Sequence, residues 1–324
     1  MPEPLKIGTL TLANNLFLAP MAGITNLPMR LLARECGAAL AFTEMVSVNG
    51  LVREGQKSFD LLRSTPADRP LGIQIFGDDP QLMAEAARLV EPHGDLIDIN
   101  MGCPVRKVVG TGAGSALLRE PARVAAIVRA VRRATELPLT VKIRSGWQAG
   151  EINFSEIARI AEAEGCDAIT LHPRTRAQMF EGQAAWEQLG ALKRLVTVPV
   201  IGSGDLFRAA DVVAMLRQTG CDGAMIARGG LGNPWLFRET LALLAGEEPI
   251  PPTPGERHRV AMQHLELFIE LAGERVALRE MRKHLAWYAR GLPGAARFRM
   301  HVNRFATVEE TAAAMAAFFA GELP

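Results

Sequence analysis

The sequence predicts an α/β chain: a (β/α)8 barrel over residues 1–245, a linker over 246–255 and a small all-helical domain over 256–324. Three observations carry this. Apolar runs of strand length alternate strictly with segments of helical spacing, which implies parallel strands. Eight such runs occur, the number that closes a barrel. After the four prolines of Gly246–Gly255 the strand signals stop while helical periodicity continues. A chain of 324 residues accommodates a barrel of roughly 250 residues with a smaller domain behind it.

The strands are read at Leu16–Ala19, Ala39–Met45, Leu71–Phe76, Leu96–Asn100, Leu139–Arg144, Ala168–His172, Val200–Gly202 and Gly223–Ala227. Helices are expected between them, among them Pro80–Glu91, Pro121–Ala134, Phe154–Glu164 and Leu206–Gln218. An open doubly wound sheet is the rival architecture, but it would gather its ligand at one switch point. Here polar residues end many strands. Side chains alternate between faces, so Lys142 and Arg144 oppose Val141 and Ile143, and Asp98 and Asn100 oppose Ile97 and Ile99. Thr170 and His172 oppose Ile169 and Leu171, and Gln74 lies between Ile73 and Ile75. The face covered by helices must be apolar, so the polar set points into the barrel near its C-terminal rim. Burying such groups is costly unless a polar ligand or a salt-bridged plug satisfies them. The rim therefore calls for a polar cofactor.

Composition narrows the class. Hydrophobic residues make up 48% and charged residues 22%, the balance of a soluble globular protein. No run reaches the ~18 apolar residues of a membrane span, and the start MPEPLKIGTL has no secretion signal. Cys36, Cys103, Cys166 and Cys221 form no C-x-x-C pair, which argues against structural zinc and disulfides and fits the reducing cytoplasm. With a net charge of +1, a nucleic-acid partner would need a local basic surface.

Glycine-rich turns follow the last two strands, at Gly202–Asp205 and Ala227–Pro234. In barrels these turns commonly seat a phosphate, and Arg228 adds a fork of donors. Neither turn is a G-x-G-x-x-G fingerprint, so a Rossmann dinucleotide site is not supported. Lys142, inside a strand, requires a negative partner; it suits either a Schiff base or the N1/O2 edge of a flavin. Gln74 can both donate and accept at a pyrimidine edge. His172 is read equally well as a flavin contact or as a core histidine. Cys103 follows Asn100 and precedes Pro104, while the loop Gly110–Ala116 holds three glycines and could move. Such a cysteine can be a nucleophile or a general acid, and its spacing does not decide.

The motifs LAPMAGITNLPMR (Leu18–Arg30), DINMGCP (Asp98–Pro104), AGSALL (Ala113–Leu118), VKIRSGW (Val141–Trp147), HPRTR (His172–Arg176), the Ala227–Arg228 turn and RKHLAWY (Arg282–Tyr288) together resemble tRNA-dihydrouridine synthases. The bacterial B-type branch looks closest, and the resemblance spans nearly the whole chain. It implies an FMN-binding TIM barrel with a helical tRNA-binding domain. It implies that Pro20, Met21 and Ala22 line the flavin through their backbone, with Gln74, Lys142 and His172 around the ring. Ser203, Gly204, Asp205, Ala227 and Arg228 would hold the phosphate end. Cys103 would be the proton donor, with Asn100 and Arg144 beside the target uracil. Departures are Ser203 where the family often has Asn, Ala227 where it often has Gly, and Pro173 where it often has Gly. Pro173 stiffens its turn and removes one N–H donor.

The implied reaction uses NADPH (or NADH) as reductant and FMN as mediator to reduce the C5–C6 bond of a D-loop uridine. Hydride reaches C6 and Cys103 protonates C5, which requires a thiol rather than a thiolate. Between Arg275 and Arg304 eight basic residues stand against Glu280 alone, a local excess of seven. Arg279, Arg282 and Lys283 share one helical face and are expected to track tRNA phosphates, with Arg174 and Arg176 at the barrel rim. No metal, DNA, membrane or obligate protein partner is expected. An FMN reductase of a free pyrimidine or enone would leave the basic domain without a role. A non-catalytic RNA-binding barrel would leave Lys142 unexplained.

Overall fold

Alternation along each apolar run decides which side chains meet the surrounding helices and which face the barrel interior. In the computed structural model, which describes residues 4–322, these runs close into one parallel sheet. The expected domain limits at residues 1 and 324 lie outside the described residues. An antiparallel hairpin comes first, β1 (Leu5–Ile7) and β2 (Leu10–Leu12). The barrel follows as β3 (Leu16–Leu18), β4 (Leu40–Phe42), β5 (Val46–Ser47), β6 (Leu71–Phe76), β7 (Leu96–Met101), β8 (Leu139–Arg144), β9 (Ala168–His172), β10 (Val200–Ser203) and β11 (Gly223–Ile226). β3 pairs with both β4 and β11, and β4 pairs with β6, so the sheet has no open edge. That closure excludes the open-sheet rival.

Ile73, Ile75, Ile97, Ile99, Val141 and Ile143 point outward and are fully buried beneath helices such as Pro80–Val90, Pro121–Arg132 and Phe154–Ala163. Inward-facing Phe17, Leu40, Leu96, Ala168, Ile201 and Met225 form an apolar floor, sealed from below by Ile7 and Leu12 of the hairpin. Above that floor the inward positions turn polar. The barrel interior is thus layered: apolar at the base, polar at the C-terminal rim where the site lies.

Two local differences from the sequence reading have physical causes. The strand expected over Ala39–Met45 is interrupted after Phe42, because the Thr43 hydroxyl accepts the Gln74 N–H at 3.2 Å, and pairing with β6 resumes only at Val46. The helix expected from Leu206 starts at Ala209, since the Asp211 carboxylate caps the N–H groups of Phe207 and Arg208. The N-terminal hairpin was not anticipated; its runs are only three residues each.

The C-terminal helices are Pro254–Ala272, Glu274–Tyr288, Ala295–His301 and Val308–Phe319. The first begins inside the stretch read as linker, because the Thr253 hydroxyl accepts the Glu256 N–H at 3.1 Å and caps it there. Glu256 also accepts from Trp235 Nε1 and pairs with Arg238, both at 2.9 Å. The core around Leu265, Met281, Leu285 and Tyr288 takes in Leu32 and Trp235 from barrel helices. The helical domain is therefore fastened to the barrel by a shared apolar core.

Candidate active site

The polar layer opens into a cavity of about 430 Å³ at the rim. Every residue expected to hold the flavin lines it: Pro20, Met21 and Ala22 after β3, Gln74, Lys142 and His172 from the strands, and Ser203, Gly204, Asp205, Ala227 and Arg228 at the two glycine-rich turns. Asn100, Cys103 and Arg144 line the same cavity.

A hydrogen-bond chain runs up the interior. Fully buried Asp98 accepts from Thr140 Oγ1 and Gln74 Nε2, each at 2.6 Å. Gln74 Oε1 accepts from Asn100 Nδ2 at 2.7 Å, and Asn100 Oδ1 accepts the N–H groups of Gly102 and Cys103 at 3.1 and 2.9 Å. Asp98 thereby fixes which way the Gln74 amide points, and Asn100 ties the Cys103 backbone to the barrel. Burial raises the Asp98 carboxyl to about 6, against the lowering pull of Thr140, Gln74 and the Lys142 charge.

Lys142 faces Arg144, Asp98 and Cys103, and among the described residues it forms no salt bridge. Burial, then the Arg144 charge, pushes its ammonium down to about 8. Arg144 donates to Gly102 O at 3.0 Å and to Thr175 O and Met179 O at 2.8 Å, which joins the cysteine loop to the loop after β9. Burial lowers it to about 10, so it stays charged at neutral pH. His172 is held far below its usual range by burial and by the cations around it. Arg174 Nη1 lies 3.2 Å from His172 Nε2; an arginine cannot accept, so Nε2 carries the lone pair and Nδ1 the proton. The neutral ring is thus oriented as a donor through Nδ1.

Cys103 is half-buried, and burial raises its thiol above the usual value despite Arg144 and Lys142 nearby. It remains a thiol at neutral pH, which suits proton donation and not nucleophilic attack. The loop Gly110–Ala116 packs onto it: the Cys103 carbonyl accepts from Ser115 N and Oγ at 3.1 and 2.9 Å. These bonds tie the C-terminal end of that loop to Cys103.

The phosphate end suits an anion. Among the described residues, the N–H groups of Gly204, Asp205 and Arg228 donate to no backbone carbonyl. Gly204 turns at φ +112°, where a Cβ would meet His172 at 2.9 Å, so a larger residue would push into the ring. The Ser203 hydroxyl donates its proton to Met225 O, so toward a ligand it can act only as an acceptor and toward a phosphate only its backbone remains as donor. An unpaired ammonium, an oriented donor ring and free amides in one cavity fit FMN.

Several expected residues lie elsewhere. Arg174, expected on the RNA, is 2% exposed, and its guanidinium is consumed inside the protein. It donates to Asp205 at 2.8 Å, Glu181 O at 3.0 Å and Gly182 O at 2.6 Å. Lys283, expected on phosphates, donates to Gly23 O at 2.7 Å and pairs with Glu280 at 3.0 Å. Arg176 is outside the cavity, stacked 4.7 Å over Trp147. Arg279 is exposed beside Glu280, and Arg282 is half-buried with an unpartnered Nε. Sequence reasoning missed Phe180, half-exposed at the mouth, whose ring lies 4.6 Å from the Arg228 guanidinium and 5.5 Å from that of Arg144. Its only signal was one aromatic residue in a polar loop. It also missed that Asp98, noted on the inward face, anchors the chain of amides.

Comparison with known proteins gives a family. The family described as Dihydrouridine synthase (Dus) matches residues 17–321. The tRNA-dihydrouridine synthase B of Pseudomonas aeruginosa is 41% identical over 317 residues, covering 97% of this chain and 96% of that protein. That of Pseudomonas putida is also 41% identical, with 97% and 94% covered. A histamine dehydrogenase structure from Rhizobium sp. 4-9 aligns with TM-score 0.55 at 17% identity, covering 82% of this chain and 50% of that one. The chain spans half the length of that protein, and the likeness concerns the fold alone.

Proposed function

The chain belongs to the dihydrouridine synthase family, resembling its bacterial B-type members, and on that premise we propose how its residues divide the reduction of a tRNA uridine. The cavity would hold FMN, with Gln74, Lys142 and His172 serving the ring and the backbone of Ser203–Asp205 and Ala227–Arg228 serving the phosphate; all of them line it. The chemistry FMN would supply there is hydride for C6 of the uracil, with NADPH as the reductant. Cys103 holds the proton for C5. Its place on the cavity wall, with the backbone held by Asn100 and the thiol raised by burial against the lowering pull of Arg144 and Lys142, is the observation that carries this assignment. Lys142 and Arg144 offset the negative charge that builds on the uracil as the bond is reduced. Asn100 keeps the Cys103 backbone in place, and Phe180 offers an apolar ring at the mouth against which an unstacked base can lie. Arg279 and Arg282, with Arg176 on the rim, contribute to holding the RNA.

Heat-denatured protein should release FMN and not FAD. With NADPH, the folded protein should form dihydrouridine in unmodified tRNA and none from free uridine. Equal turnover of free uridine would favour a small-molecule reductase, and colourless protein that FMN does not reconstitute would overturn the flavin assignment.

A further inference from the structure

One wall of the cavity is held from the other domain. Pro20, Met21, Ala22 and Ile24 line it, and Gly23 between them turns at φ +71°. Met21 O accepts the N–H groups of Ile24 and Thr25, both at 3.0 Å, so the segment is a tight turn. Two charged side chains grip the exposed peptide groups of Gly23. Glu44, just past β4, accepts its N–H at 2.5 Å. Lys283, on the helix Glu274–Tyr288, donates to its carbonyl at 2.7 Å and pairs with Glu280 at 3.0 Å. Glu44 also lies within the field of Lys283, Arg30 and Glu280. One ammonium therefore binds a carbonyl of the barrel and a carboxylate of the helical domain, with the Glu44 charge close by.

We infer that Lys283 is a positioning residue for the cofactor: through the Gly23 carbonyl, the helical domain holds the turn Pro20–Ile24 in the shape that closes the flavin cavity. The inference rests on the FMN reading above. Without the ammonium, the Gly23 carbonyl loses its charged donor, and Glu44 and Glu280 lose the cation they share, Arg279 staying on Glu280 alone. The barrel strands are locked by their ladders, so the glycine turn is the part that yields. The flavin site is then incomplete in the barrel alone, and RNA bound to the helical domain lies one side chain away from the flavin wall.

The test uses full-length apoprotein titrated with FMN by fluorescence quenching, with the visible circular dichroism of the bound flavin recorded alongside. K283M should bind FMN roughly 10- to 100-fold more weakly, the range of one charge-assisted hydrogen bond, with an altered visible spectrum. K283R, which can donate to the same carbonyl, should restore affinity to within about threefold. If K283M does not fold, E44Q carries the test, since it removes the charge that helps hold Lys283 over the turn; it should weaken FMN by at least about threefold. Wild-type affinity and spectrum in K283M, or in E44Q where that variant stands in, would overturn the inference and leave the flavin site standing. Failure of the wild-type protein to bind FMN would overturn both.

Discussion

Replacing Arg174 with Met should unfold part of the phosphate turn rather than loosen a contact with RNA. The guanidinium lies 1% exposed and makes a two-oxygen contact with Asp205 at 2.8 Å, with further bonds to two loop carbonyls and to His172. Breaking a buried pair by removing one partner typically costs ~3–5 kcal/mol. Asp205 keeps 25% exposure and can regain water, so the low end, about 3 kcal/mol, applies. For a chain of this size that corresponds to a fall in Tm of roughly 4–5 °C. Asp205 sits at φ +58°, a conformation costly outside glycine, and Arg174 together with the Ala184 N–H holds its carboxylate there. R174M should therefore also bind FMN at least about tenfold more weakly, through the Gly204 and Asp205 amides that the turn presents. Thermal melting by circular dichroism and FMN titration measure the two effects. A contact with RNA would leave both unchanged and make the salt slope of tRNA affinity shallower by about one. That pattern would refute the structural role.

The other expectations are narrower. C103A should accept hydride from NADPH and bind tRNA normally but form dihydrouridine ~100- to 10,000-fold more slowly, while C166A, deep in the apolar shell, should be nearly silent in single-turnover assays. Burial and the Arg144 charge push Lys142 down to about 8, and a flavin edge that favours the ammonium should raise it. Binding at pH 9 should then take up most of a proton, and binding at pH 7 almost none, as read by calorimetry in buffers of different ionisation heat; K142M should take up none. His264 and His284 are fully buried beside each other, with Tyr288 on His264 at 3.2 Å and unpartnered Nε2 atoms. Burial lowers both, His264 to about 3, with the neighbouring Lys283 charge also acting on His284. A folded-state value below the unfolded one means stability is full above pH ~6.5 and falls as pH drops through the window below it, by about 1.4 kcal/mol per pH unit for each histidine. Acid melting monitored by helix content should shift to lower pH in H264F/H284F, and an unchanged midpoint would remove the pair from the explanation.

Periodicity carries far because it is a local property. The two-residue alternation in LTVKIR and LIDIN was enough to send Lys142, Arg144, Asp98 and Asn100 to the interior, since only an apolar outer face can pack beneath helices. What alternation cannot show is where each donor ends. Arg144 and Arg174 look alike in sequence, two residues near the rim of adjoining segments. Only the fold of the loop around Glu181 and Gly182 makes Arg174 a strut, because its carbonyls curl back over the guanidinium. Lys283 poses the same problem on a helix. A spacing of three and four puts Arg279, Arg282 and Lys283 on one face, but the partner of Lys283 is a carbonyl 260 positions earlier in the chain. No window of sequence contains both.

This changes how the basic excess of the helical domain is weighed. Of the eight positive residues between Arg275 and Arg304, Lys283 is committed to Gly23 and Glu280, and Arg279 shares Glu280. Arg275, Arg290, Arg297, Arg299 and Arg304 are exposed, and among the described residues they form no salt bridge. Phosphate contacts each contribute to the salt slope only if the cation is free to exchange water and counterions for phosphate. A guanidinium already neutralised by a carboxylate releases less on binding. The slope lost by reversing Arg297 alone should therefore exceed that lost by reversing Arg279, even though the sequence places Arg279 in the motif-bearing helix. A larger loss at Arg279 would mean that Glu280 turns away when RNA arrives and that Lys283 is freed with it, which would tie RNA binding directly to the wall of the flavin cavity.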